Sequence, residues 1–200
     1  METITTVDLL RHGEAVGGPC YRGHVDHALT DRGVAQMWDA IQSLDDEWDT
    51  VVSSPLVRCA DVARAYCKRR LRPLHLHSGL MEMGFGRWEG MSYQQIASRE
   101  AKLFSEFVDD PFHTTPSGGE PFLSFNGRVL GAFHDILLRY ETQHLVIISH
   151  AGVIRVILAY ILSMPPTSLL RIAVPHACVS RIRVYRHAGY TYLLEFHGIK

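Results

Sequence analysis

The chain has 200 residues, with 20 Lys and Arg against 21 Asp and Glu and a formal charge of −1. That balance supplies no global field to recruit nucleic acid or an anionic membrane surface, and no apolar run is long enough to span a bilayer. A chain of this length, 46% hydrophobic, can bury one ordinary core without disulfide staples.

Residues 4–10 read as a first strand, since five of the six residues Thr3–Asp8 are β-branched. Thr30 reads as the N-cap of a helix carrying Val34, Met37, Trp38, Ile41 and Leu44 at helical spacing. Residues 50–53 are a second strand. Ser54-Pro55 then reads as an N-cap with proline at the first helical position, opening a helix that buries Leu56, Cys59, Ala60, Ala63 and Cys67. Residues 74–76 form a third strand. Residues 80–119, rich in aromatic residues, glycine and short helical patterns, read as an inserted lid. A long helix over 120–140 follows, then a buried strand, Leu145–Ser149, and an apolar helix, Val153–Leu162. Residues 178–186 and 190–197 alternate and are joined through Ala188-Gly189 as a hairpin. The alternation of strands and helices predicts a single α/β domain over 1–200. It is a three-layer α/β/α sandwich with a mostly parallel central sheet, a small lid and an antiparallel C-terminal edge. Cys20, Cys59, Cys67 and Cys178 have no metal-ligand spacing, and Met1-Glu2-Thr3 has no basic leader, so the expected location is the cytoplasm.

The chemistry gathers at strand ends. The first strand ends in Arg11-His12-Gly13-Glu14, and the strand Leu145–Ser149 ends in His150-Ala151-Gly152 before a helix. Ligands of α/β sheets bind beyond the carboxyl ends of strands, and a helix N-terminus there favours an anion. Two histidines at two such ends suit one shared pocket. Arg58 falls in the first turn of its helix, where a cation is unfavourable. A phosphate shared with Arg11 would account for it, because a guanidinium fork matches phosphate oxygens. Glu82 and Glu89 lie among apolar residues in "MEMGFGRWEG", as a general acid would. Each piece also has an ordinary reading: histidines satisfied at strand ends, a solvated Arg58, and surface glutamates paired with Arg87.

Taken together, Arg-His-Gly-Glu after a first strand, Ser-Ser-Pro-Leu-x-Arg, a Glu ahead of Phe-Gly-x-Trp-Glu-Gly, and a late Ser-His-Ala-Gly resemble the histidine phosphatase superfamily, in its phosphoglycerate-mutase-like branch. "LTDRG" and "PSGGE" resemble family segments too, so the likeness spans nearly the whole chain. The resemblance implies that His12 is a nucleophile that becomes phosphohistidine. It implies that Arg11, Arg58 and His150 hold the phosphoryl oxygens, and that Glu82 protonates the leaving oxygen and then activates water. Glu89 stands as the alternative acid. No metal or other cofactor is implied. A neutral imidazole flanked by cations suits that chemistry, and Gly13 reads as the site of a tight backbone turn behind it. The chain departs from the family at Ala15, at Gly17-Gly18-Pro19, and at Cys59 and Val62, which leaves the secondary phosphate contacts open.

Within the superfamily, the stretch from Gly17 to Met37 most resembles the α-ribazole phosphatases of cobalamin assembly. A small phosphomonoester is the implied partner. Tyr21, Arg22 and Gly23 are expected to contact it, and Phe85, Met91, Tyr93 and Phe112 are candidate pocket walls that could equally just pack the lid. Arg22 could instead bind a second anion. A broad-specificity or sugar-phosphate phosphatase and a phosphoglycerate mutase remain rivals. So do a metallohydrolase using His75-x-His77 and a non-catalytic phosphate-binding module. A homodimer is an open reading of the partner set.

Overall fold

The computed structural model describes residues 3–44, 48–187 and 189–198. Met1, Glu2 and Ala188, which enter the sequence reading as chain start and hairpin turn, lie outside the described residues. The chain runs β1 (Thr3–Arg11), α1 (Asp31–Ser43), β2 (Thr50–Ser53), α2 (Val57–Arg70) and β3 (Leu74–Leu76). It continues through α3 (Tyr93–Arg99), α4 (Ala101–Asp109) and α5 (Phe122–Arg139) to β4 (His144–Ser149) and α6 (Ala151–Ile161). It closes with β5 (Val179–Arg186) and β6 (Tyr190–Gly198).

The sheet order is β3-β2-β4-β1-β5-β6. The first four strands are parallel, and β5 and β6 form the antiparallel edge. Alternation along β4 divides the core. Leu145 and Ile147 pack with α5 and α6, whereas Val146 and Ile148 face α1 and α2. Both faces of the central strands are therefore covered, which is why they read as continuous apolar runs.

After β1 the chain crosses to one face as α1, and after β4 it crosses to the other as α6. The crevice between the ends of β1 and β4 is thus a topological switch point, where such sheets bind ligands. Register completes the arrangement. Arg11 pairs with Ser149, so His12 and His150 leave adjacent strands side by side.

Two local expectations are corrected. The helix expected to open at Ser54-Pro55 begins at Val57, with Leu56 as its N-cap and no capping side chain from Leu56. Its first N–H is met instead by the Asp26 carboxylate, which accepts from the Val57 amide at 2.7 Å, while the Ser54 hydroxyl accepts from His150 at 2.8 Å and, at 3.4 Å, from the Leu56 amide ahead of the helix. Gly13 does not adopt a left-handed turn. It is glycine because a Cβ there would lie 2.0 Å from the Gly33 carbonyl oxygen, and a Cβ on Gly33 would lie 2.0 Å from that of Glu14. Two backbones cross at this point, and only hydrogen fits between them.

Candidate active site

His12 sits at the C-terminal end of β1, with its amide donating to Ser149 O at 2.9 Å. The ring is buried, and Nδ1 lies 2.7 Å from the Gly13 carbonyl. A carbonyl only accepts, so Nδ1 carries the proton and Nε2 keeps its lone pair. Burial, reinforced by the nearby charges of Arg11 and Arg58, holds the imidazole well below its ordinary pKa. His12 is accordingly a neutral ring with one unprotonated nitrogen, surrounded by cations.

His150 lies next to it, the ring centroids 5.2 Å apart. Arg58 Nε donates to His150 Nδ1 at 3.2 Å, so the His150 proton is on Nε2 and goes to Ser54 Oγ at 2.8 Å. Burial first, then Arg58, His12 and Arg11, keep this second imidazole neutral too. The Cys59 thiol packs 3.7 Å from His150 Nε2.

Arg58 is 1% exposed, so the solvated reading of this residue fails. Its terminal nitrogens donate to Val25 O at 2.9 Å and to Gly23 O at 2.7 Å. Of the five guanidinium N–H groups, three are taken by Val25, Gly23 and His150, and two are left for a ligand. Arg11 anchors one terminal nitrogen on Val174 O, while its Nε is buried with no hydrogen-bond partner. A buried unpaired guanidinium N–H beside a nucleophile is placed to donate to an anionic group.

The two glutamates separate. Glu82 stands over the start of α6: its carboxylate accepts from the Gly152 amide at 3.1 Å and from the Met83 amide at 3.1 Å. A Cβ on Gly152 would come within 2.2 Å of it, so the glycine makes room for the carboxylate. Arg128 supports the loop beneath by donating to the carbonyls of Gly79, Met81 and Glu82. Glu89 is engaged elsewhere. One of its oxygens accepts from the amides of His24 at 3.0 Å and Phe85 at 2.9 Å, stapling its own segment to the loop after β1. Arg87 is exposed and pairs with neither.

Tyr21, Arg22 and Gly23 divide as well. Arg22 gathers the carbonyls of Ala15, Val16 and Gly18 with one terminal nitrogen, tying down the loop after β1, while its Nε is buried with no hydrogen-bond partner. Gly23 contributes its carbonyl to Arg58. At φ +51 it takes a left-handed conformation, and a Cβ there would meet Glu89 at 2.2 Å. Tyr21 enters an aromatic cluster, 4.8 Å from Phe85 and 5.1 Å from Tyr93. A cavity of about 420 Å³ opens from this cluster to Glu82 and Gly152. Tyr21, Phe85, Tyr93 and Phe112 line it, joined by Phe107, Phe122 and Phe125. Met91 packs behind, against Trp88, Ile96 and Phe107. Arg155 is the one cation on the cavity wall among the described residues.

Sequence reasoning misses Ser54 as a partner of His150, Asp26 as the cap of α2, and His176, whose ring lies 5.8 Å from that of His12. Each is isolated in sequence from the motif it serves. His75 stacks on Tyr140, and His77 accepts from the Gly79 amide. Among the described residues, no group of three or more His, Cys, Asp or Glu side chains is placed to share a metal ion.

Comparison with known proteins places the chain in a family. Residues 7–195 match the histidine phosphatase superfamily (branch 1). An adenosylcobalamin/alpha-ribazole phosphatase of Salmonella typhimurium is 32% identical over 179 residues, covering 88% of this chain and 89% of that protein. Phosphoserine phosphatase 1 of Hydrogenobacter thermophilus is 29% identical over 145 residues, covering 71% of this chain and 69% of the relative. The crystal structure of the alpha-ribazole phosphatase from Shigella flexneri superposes with a TM-score of 0.84 at 30% identity, covering 94% of this chain and 95% of that one. The chain belongs to branch 1 of the histidine phosphatase superfamily and is a phosphatase.

Proposed function

We propose that the chain hydrolyses phosphomonoesters through a phosphohistidine on His12, and that its substrate is α-ribazole 5′-phosphate. The observation that carries the chemistry is the locked tautomer: with Nδ1 held on Gly13 O, the His12 lone pair lies on Nε2. In the first step Nε2 forms a bond to phosphorus as the bond to the leaving oxygen breaks. Glu82 delivers the proton that oxygen needs. Arg11 and Arg58 take up the charge on the equatorial oxygens, and His150 joins them by turning its Nε2–H from Ser54 Oγ to the phosphoryl group, which is most of what phosphoryl transfer asks of a protein. In the second step Glu82 takes a proton from water, the new oxygen–phosphorus bond forms, and the bond to His12 breaks to release phosphate. The neutrality of the free His12 ring, fixed by burial and the arginines, keeps it nucleophilic.

The substrate reading rests on the cavity. Tyr and Phe supply seven of its lining residues, and Arg155 is its single cation among the described residues. A nucleoside with a flat apolar base is stabilised by stacking and needs no further charge. A phosphoglycerate leaving group carries a carboxylate and needs cations, whereas the described wall of this cavity offers Arg155 alone. The relatives named for alpha-ribazole phosphatase activity support the same choice. The test is kcat/KM for α-ribazole 5′-phosphate against 3-phosphoglycerate, with His12→Ala as the inactive control. The expected result is a clear preference for the nucleotide. Preference for phosphoglycerate, or mutase activity on it, overturns the substrate, and equal slow turnover of both favours a broad-specificity phosphatase.

A further inference from the structure

The parallel sheet explains why His150 stands on one side of His12. It leaves the other side to the antiparallel edge. β1 lies between β4 and β5, and β5 starts at the same edge where β1 and β4 end. The loop that leads into β5 therefore reaches the nucleophile from the side opposite His150.

That loop is fastened directly to the catalytic dipeptide. The Arg11 amide donates to Cys178 O at 3.0 Å, and the Ala177 amide donates to the carbonyl of His12 itself at 3.3 Å. The Arg11 guanidinium holds Val174 O. Ala177 takes a left-handed conformation, φ 55, unusual for a residue with a Cβ. Such strain persists only where the surroundings over-determine it. Here its effect is to turn the preceding residue, His176, towards the site. The His176 ring lies 5.8 Å from the His12 ring at an interplanar angle of 42°. Neither of its nitrogens has a hydrogen-bond partner among the described residues. The ring is partly exposed rather than packed away.

We propose that His176 is a further member of the phosphate pocket, donating an imidazole N–H to the phosphoryl group on His12 from the side opposite His150. The charged groups around it are consistent with a neutral donor in the free enzyme. Burial, Arg11, Arg22 and Arg32 lower its pKa and Glu14 raises it, with a net value of about 4. The assignment rests on the phosphohistidine reading above, but not on the identity of the leaving group.

The experiment compares His176→Ala, His176→Phe and His176→Gln with wild type, using an aryl phosphate as substrate and orthovanadate as inhibitor. Vanadate mimics the five-coordinate phosphorus, so its inhibition constant reads contacts to the transferred group. Loss of one hydrogen bond to a charged oxygen should weaken vanadate inhibition by about ten- to a hundredfold in the Ala and Phe variants. Gln keeps an N–H donor and should recover most of the loss. Phe keeps the ring packing, so a Phe variant that binds vanadate within about twofold of wild type overturns the proposal and makes His176 a packing residue. Urea midpoints identify any variant that is merely unfolded, in which case the Phe and Gln pair decides. Rapidly quenched labelling of wild type is run alongside. Absence of phosphate on His12 would overturn the phosphohistidine reading and this assignment together. A labelled wild type with unaffected variants would overturn this assignment alone.

Discussion

At the scale of single residues, similar side chains are set to different tasks by the backbone groups they meet. Glu82 and Glu89 both lie in one short aromatic stretch. Glu89 spends one oxygen on the amides of His24 and Phe85, while Glu82 faces the start of α6 at the edge of the cavity. The two should therefore respond differently to the same isosteric change. Glu82→Gln removes a transferable proton. It should lower kcat/KM on an alkyl phosphate by roughly 10²–10⁴-fold, the worth of a positioned general acid, and by much less on an activated aryl phosphate. Glu89→Gln keeps a carbonyl oxygen for the His24 and Phe85 amides, so its turnover of both substrates should stay within about threefold of wild type. Equal losses on both substrates in the Glu82 variant would make it structural, and a leaving-group effect in the Glu89 variant would exchange the roles. Sequence alone leaves this pair open because the discriminating partners are amides, which carry no residue signature.

At the scale of elements, periodicity and strand composition were sufficient for most of the fold. β2 and β3 fall at residues 50–53 and 74–76, and Thr30 caps α1 by accepting from the Gly33 amide at 2.9 Å. The start of α2 is not legible in the sequence because Ser-Pro imitates a helix start, whereas the cap comes from Asp26, across a loop. Gly13 reads as a turn in the sequence because φ > 0 is the commoner reason for a glycine, whereas its partner is the Gly33 backbone. That contact predicts a reversed sign. Glycine to alanine inside a helix normally stabilises by about 1 kcal/mol. Gly127→Ala, in α5 where an added Cβ meets nothing within 4 Å, should do so. Gly33→Ala, in α1, drives a Cβ to 2.0 Å from Glu14 O and should destabilise by about 1–3 kcal/mol. It should also move the Arg11–His12 loop and lower kcat. Urea denaturation of both variants checks the pair, and a stabilised Gly33→Ala would show that the two backbones do not touch.

At the scale of the whole molecule, the site at the strand ends conflicts with the stability of the sheet that carries it. His12 and His150 are buried among Arg11 and Arg58, and both are held neutral well below their ordinary pKa. Unfolding releases them to about 6.5. Between that value and the lower folded ones, the unfolded chain binds more protons than the native one. Stability is then fully present above about pH 6.5 and falls as pH drops. Each histidine contributes a slope of about 1.4 kcal/mol per pH unit once its unfolded form is charged. The two together should give about 3 kcal/mol per unit below roughly pH 5.5. His176, partly exposed and titrating at about 4 in the folded protein, adds a smaller term over the same range. Asp8 acts later. Burial would raise its pKa, but hydrogen bonds from Arg181, His144 and Trp48 outweigh that and hold it below 3.8, so its contribution disappears only under more acidic conditions. Urea denaturation between pH 7.5 and 5 should show this loss, and His12→Asn, which cannot take up the proton, should flatten the slope by one proton's worth. Phosphate or vanadate, binding the native cations, should raise the urea midpoint at pH 7.5. A wild-type stability that stays level down to pH 5 would mean that the two rings are not held neutral, and with that the electrostatic account of the nucleophile would fall.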